Sequence, residues 1–247
     1  MKILTKLFYL LILVIFISSC QFTEQIDFKE NGSGTYTLKM DMSAMITAMK
    51  KMGDSTTTKN KNPEMIDSII DFETFLVEKK DSISKLPKEE QEKLNALKDM
   101  KMRIQMNEET DAFNMDFIFD FNNIAELDHI QEKVSKGQSI NKKETAPTPE
   151  APTEVIYSFD GKKFNRNVKD KNLSKEAIEA YDLSMKQSSS MMDGSAYNIE
   201  YHFPKPIKST SFKEATFSAD RKTLYIKSDL KTVTSNPHLL EFEVILE

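Results

Sequence analysis

Phe113-Asn114-Met115-Asp116-Phe117-Ile118-Phe119-Asp120-Phe121 alternates a large apolar side chain with a mostly polar one along its whole length. Successive side chains of a strand point to opposite faces. A period of two therefore puts Phe113, Met115, Phe117, Phe119 and Phe121 on one face of a sheet. Burying each such side chain is worth roughly 1.5–3 kcal/mol, so the stretch predicts a central strand with one apolar face. Met100, Met102, Ile104 and Met106 alternate in the same way just upstream, and a turn at Glu109 to Asp111 joins the two runs.

Reading outward, Gln25 to Phe28 and Thr35 to Met40 alternate on either side of Asn31-Gly32-Ser33-Gly34, a strong turn signal, and predict a β-hairpin. Ser43 is placed to cap a helix from Ala44 to Met52. Gly53 to Asn62 is polar and reads as a flexible loop. Asn62-Pro63-Glu64 then reads as the start of a helix, with proline in the first turn where its missing N–H costs nothing. Ile66, Ile69, Ile70, Phe72 and Leu76 form its apolar stripe. Pro87 opens another helix with Leu94 and Leu97 inward. Asn122 or Asn123 caps a helix carrying Ile124, Leu127, Ile130 and Val134, which ends near Gly137.

Residues 141–154 interrupt this pattern. Pro147, Pro149 and Pro152 remove backbone donors, and no large apolar side chain lies among them to offset the entropy of ordering. The tract reads either as an interdomain linker, giving domains 21–140 and 154–247, or as a disordered loop within one domain spanning 20–247. Val155 to Phe159 favours the loop, because it looks like one more strand for an existing sheet. Asp160-Gly161 is a hairpin turn leading into Lys163 to Arg166. Ser174 starts a helix with Ile178, Tyr181, Leu183 and Met185 apolar, fraying at Ser188 to Ser190. Tyr197–Phe203, Ala215–Ser218, Thr223–Ser228 and Leu240–Leu246 read as strands. The fold class is thus α+β: an antiparallel sheet with helices packed on one face and a C-terminal β-meander.

The composition excludes several functions. With a formal net charge of −5 and interleaved charges, the chain has no basic stripe for a phosphate backbone, so nucleic acid is not an expected partner. Six Gly and no Trp argue against a Gly-rich nucleotide fold and an aromatic sugar platform. His129, His202 and His238 show no metal-ligand spacing, and Ser195 after Gly194 lacks a Gly-x-Ser-x-Gly elbow. The expectation is a protein that is not an enzyme and has no cofactor. Met40, Met42, Met45, Met49 and Met52 are the one unusual enrichment. Thioether sulfur is a soft ligand for Cu(I), and the Met-x-Met and Met-x-x-Met spacings would suit it. Packing is the preferred reading: Met45, Met49 and Met52 lie at i, i+4 and i+7, one face of a helix, and methionine fills irregular gaps well. An apolar groove for a lipid or another hydrophobic ligand is a third reading.

The leader decides location. Lys2 and Lys6 precede an unbroken apolar run from Leu7 to Ile17, too short to span a bilayer and closed by Ser18 and Ser19. Ile17-Ser18-Ser19-Cys20 resembles the bacterial lipobox and holds the single cysteine of the chain. The resemblance implies a signal peptide at 1–19 and acylation of Cys20. Each buried CH₂ of an acyl chain adds about 0.8 kcal/mol of membrane binding, and two chains make a stable anchor. Gln21, where Asp would signal inner-membrane retention, implies the outer membrane if the cell is Gram-negative; surface-exported lipoproteins of some lineages carry a dense acidic stretch after the cysteine, and the single acid in Gln21–Gln25 favours a body facing the periplasm instead. Together with Ile26-Asp27-Phe28 before Gly32-Ser33-Gly34, and Phe203-Pro204-Lys205-Pro206-Ile207 before the turn at Asp220, the chain resembles the uncharacterised lipoproteins of Gram-negative envelopes. That family brings no established chemistry. The expected partners are the membrane, through the N-terminal lipid, and an envelope protein.

Overall fold

Phe113 to Phe121 lie in β5 (Ala112–Phe121), near the middle of a wide sheet, as the alternation predicts. The computed structural model describes residues 20–51, 64–138 and 149–247. Eight strands form the larger sheet in the order β10 (Thr216–Phe217), β11 (Thr223–Asp229), β8 (Ala196–His202), β1 (Gln21–Phe28), β2 (Gly34–Asp41), β5, β4 (Met100–Asn107) and β3 (Met65–Asp71). A second sheet has the order β6 (Thr153–Phe159), β7 (Lys163–Asp170), β12 (Phe242–Leu246) and β9 (Ile207–Thr210). Every pairing is antiparallel except β1 with β8, where residues far apart in sequence meet side by side. The architecture is α+β.

One face of the large sheet is apolar across its strands. Ile26, Tyr36, Phe119 and Met100 are cross-strand neighbours in successive strands, and all are buried. The second sheet covers part of this face. Phe28 of β1 meets Phe159 and Phe164 of the second sheet at centroid distances of 4.6 and 5.7 Å. Such tilted and edge-on aromatic pairs add to the area they bury. The other face carries polar pairs. Thr35 donates to Asp120 at 2.7 Å, and Arg103 grips Asp67 with two hydrogen bonds of 2.8 and 2.7 Å.

The helices are α1 (Ser43–Lys51), α2 (Phe72–Glu78), α3 (Lys80–Ile83), α4 (Lys88–Asn95), α5 (Ile130–Gln138), α6 (Lys175–Met192) and α7 (Leu230–Ser235). Leu94 and Leu97 are buried as expected after Pro87. The Asn31 to Gly34 turn is tight for a specific reason. A Cβ on Gly34 would stand 2.3 Å from the Asp27 carbonyl oxygen and 2.6 Å from the Phe121 ring. Only glycine lets the three strands close there.

Four elements depart from expectation. Asn62 and Pro63, the expected start of a helix, lie outside the described residues, and from Met65 onward the chain forms β3 followed by α2 instead. Ile66, Ile69 and Ile70 satisfy helical spacing, but they pair along β4, and β-branched residues suit a pleated surface. The helix through Val134 is two pieces. A 3-10 turn at Ile124–Leu127, with an Asn123–Glu126 capping box, is separated from α5 by His129 at φ 63°. The four apolar residues are nonetheless all buried. The helix after Ser174 does not fray at the serines and runs to Met192, yet Ile178 and Leu183 are 37% and 58% exposed. The C-terminal strands are dealt to both sheets: β8, β10 and β11 to the large one, β9 and β12 to the small one.

The loop at 53–62 and most of the tract at 141–154 lie outside the described residues. The end of the tract is placed: the Pro152 carbonyl accepts from Lys171 N–H at 2.8 Å, and Thr153 and Glu154 begin β6 rather than extending the loop.

Candidate functional site: a sealed carboxylate cluster beside the anchor cysteine

The inward row of β1 is Phe22, Glu24, Ile26, Phe28, with an acid where the alternation calls for an apolar residue. The inward row of β7 is Phe164, Arg166, Val168, with the same anomaly in the opposite charge. The two charged residues meet between the sheets. Arg166 donates from Nε to Glu24 Oε1 at 3.3 Å, from Nη2 to Oε2 at 3.2 Å, and from Nη1 to the Leu240 carbonyl at 3.0 Å. Tyr157 donates to Glu24 Oε1 at 2.7 Å, Tyr201 donates to the same oxygen, and Tyr197 donates to Oε2. Glu24 is 0% exposed and Arg166 2%.

Burial alone would push the Glu24 carboxyl up. The Arg166 charge and the hydrogen bonds from Arg166, Tyr197 and Tyr201 outweigh it and hold the group below the ordinary carboxylate range. Burial first, and then the Glu24 charge, push the hydroxyls of Tyr36, Tyr157, Tyr197 and Tyr201 far up. Burial would lower the Arg166 guanidinium, but Glu24 raises it well above its usual value. Every group is therefore locked in one protonation state near neutral pH. A general acid or base needs a pKa near the working pH and reach to a substrate. Glu24 and Arg166 are buried, Tyr197 is half-buried, and both carboxylate oxygens are already engaged. Its arrangement suits clamping two sheets together.

Cys20 stands four positions before Glu24 and is half-buried. Its carbonyl accepts from Ala196 N–H at 3.1 Å, so the β1–β8 ladder reaches the cysteine itself. The residues before it lie outside the described residues. Among the described residues, no helix is long and apolar enough to cross a membrane.

The methionines of the alternative copper reading are placed differently from one another. Met40 is 4% exposed in the core, beside Phe22 of β1 and Met115 of β5 in the sheet register. Met42 is half-buried against the core, and Met45 is half-buried in α1. The Met49 side chain and Met52 lie outside the described residues. Packing accounts for Met40.

The histidines are dispersed. His129 lies 3.3 Å from Glu154, His202 Nδ1 meets Thr223 Oγ1 at 3.0 Å, and His238 sits between Asp170 and Glu241 at 3.2 and 3.3 Å. Hydrogen bonds that the ring donates to those two carboxylates raise the His238 pKa. Ser195 is buried in the turn before β8, and its carbonyl accepts from Leu230 N–H. Among the described residues, no group of three or more His, Cys, Asp or Glu is placed to hold a metal ion.

Sequence reasoning missed the Glu24–Arg166 cluster because it started the first strand at Gln25. The signal was present: a charge at an inward position of each of two strands.

No protein-family model matches the chain, and no curated protein matches it. One similar solved structure is the folded domain of the Mycobacterium tuberculosis protein LppM (Rv2171), determined by NMR. The TM-score is 0.41 at 7% identity, over 92% of this chain and 89% of that one. At that level of likeness no chemistry passes from one protein to the other.

Proposed function

We propose that this protein is a non-enzymatic lipoprotein of the bacterial cell envelope, anchored through acyl chains on Cys20, with a structural or interaction role. The observation that carries the reading is the position of Cys20. The lipobox-like stretch ends where the folded domain begins, and the Cys20 carbonyl is already a rung of the β1–β8 ladder. An anchor attached there leaves no slack between lipid and domain. The absence of slack suits a protein that must work at the membrane surface. The burial of the Glu24–Arg166 pair supports a role without catalysis, since among the described residues this interior ion pair already has both carboxylate oxygens hydrogen-bonded within the protein. In a Gram-negative cell, Gln21 favours the outer membrane, with the domain in the periplasm.

The test is metabolic labelling with a fatty-acid analogue, followed by membrane fractionation. The wild-type chain should take the label and sediment with the envelope. Cys20→Ala should lose both properties. Equal labelling of the two proteins would overturn the reading.

A further inference from the structure

The apolar face of the large sheet is sealed at one end of its strands and open at the other. Along β5, Phe117, Phe119 and Phe121 are buried, while Phe113 and Met115 are only half-buried. Along β4, Met100 is buried, and Met102, Ile104 and Met106 are half-buried. Along β1, Glu24, Ile26 and Phe28 are buried and Phe22 is half-buried. In register, these half-buried ends lie together, with the buried Met40 of β2 between Phe22 and Met115: Gln21 pairs with Asp41, Asp41 with Asn114, and Asn107 with Ala112. This is the end at which Cys20 stands.

Helix α1 runs along the same rim. The Phe113 N–H donates to the Ser43 hydroxyl at one end of the helix, and Lys50 pairs with Asp111 near the other. A nine-residue helix is roughly 13 Å long. It thus crosses from the end of β2 toward the β4–β5 turn. Met45 and Ile46 on it are half-buried, and among the described residues neither belongs to the side chains packed against the buried core.

We infer that this end of the domain is a membrane-seating surface. Its occupant is the interfacial apolar layer of the bilayer that holds the Cys20 lipid, and its contacts are Phe22, Met42, Met45, Ile46 and Phe113. The inference rests on the proposed acylation of Cys20, because the anchor is what brings the rim to the lipid. Strands lie about 4.8 Å apart, so β5 is only about 10 Å from β1. With no slack at Cys20, Met42 and Phe113 are brought to the membrane along with it. Amphipathic helices lying in the interface bury their apolar side about 5–10 Å into the headgroup–acyl boundary. That depth accommodates the half-buried side chains of α1. The charges at this end are compatible with the seating. Asp111 is paired with Lys50, and Asp193 with Lys231 at 2.7 Å, while Glu108 and Glu109 of the β4–β5 turn lie at this same end, where the seating places them among the headgroups. The strands then stand on the membrane, and the Glu30 turn points away from it.

The chain has a single cysteine, which the lipid caps, so an introduced cysteine is the one free thiol. Ile46→Cys and Glu30→Cys forms of the full-length lipoprotein, labelled with a polarity-sensitive fluorophore, are reconstituted in vesicles with and without nitroxide-headgroup lipid. The Ile46→Cys probe should shift to the blue and lose most of its emission to the nitroxide. The Glu30→Cys probe should do neither. If both probes behave alike while fatty-acid label is present on Cys20, the anchor stands and the seating is wrong. A blue shift without nitroxide quenching means that protein, not lipid, covers the rim, and also overturns it. If the wild-type chain carries no fatty-acid label, the anchor reading falls and the seating falls with it.

Discussion

Glu24 of β1 and Arg166 of β7, 142 residues apart, form a fully buried ion pair that joins the two sheets. Removing one partner of such a pair leaves an uncompensated charge in the interior, which typically costs about 3–5 kcal/mol. Arg166→Met should lower stability by about that amount, a large part of the roughly 5–15 kcal/mol that holds a domain together. Denaturant unfolding measures it. An unchanged midpoint would mean that water reaches Glu24 and the sheets do not close over it.

The pair also predicts acid behaviour. The folded-state pKa of Glu24 is held below the ordinary value of 4.5. Its contribution is complete above that ordinary value and is lost as pH falls through the folded pKa. The wild-type protein should therefore lose this stabilisation only in the acid range below 4.5. Glu24→Gln has no carboxyl to protonate. It should be less stable at neutral pH and show a shallower decline in that range. Melting temperatures measured across the acid range compare the two slopes, and parallel curves would contradict the assignment.

Phe117 and Phe113 share one face of β5 but not one environment. Phe117 is 0% exposed, so Phe117→Ala should cost about 3–5 kcal/mol. Phe113 is half-buried at the open end, and Phe113→Ala should cost clearly less. Equal losses would mean that the face is closed along its whole length.

Gly34→Ala tests the tight turn between β1 and β2. The added methyl would meet the Asp27 carbonyl oxygen and the Phe121 ring well inside contact distance. Overpacking of this kind costs about 1–3 kcal/mol, and backbone is one of the atoms that must move. Gly32→Ala, at φ 81° with open space around it, isolates the conformational cost alone. The Gly34 variant should be the less stable by thermal melting.

The large sheet takes β1 to β5 from before the proline tract and β8, β10 and β11 from after it. Separately expressed Gln21–Ile140 and Thr153–Glu247 should each fail to fold cooperatively and should gain structure on mixing. Cooperative unfolding of both pieces alone, followed by circular dichroism, would establish two domains.

Much of this architecture was legible in local pattern, because period-two alternation and turn chemistry are properties of neighbouring residues. β4, β5, the Gly32 turn and the Asp160-Gly161 hairpin fall where the alternation puts them. Elsewhere the local signal was overridden. Ile66, Ile69 and Ile70 fit a helix stripe, but pairing with β4 chose a strand, with Ile66 and Ile70 opposite Met106 and Met102 and Ile69 on the other face opposite Arg103.

By itself, the sequence determined the α+β class, the inward face of β5 and the lipobox-like approach to Cys20. All three follow from spacing along the chain. Only the tertiary structure decided that β1 lies parallel to β8, that Glu24 meets Arg166 and three tyrosines, and that the apolar face opens beside Cys20. These are contacts between segments more than a hundred residues apart, or gradients of burial set by what covers a face. Their energy comes from desolvation and packing across the whole fold, which no window of neighbouring residues contains.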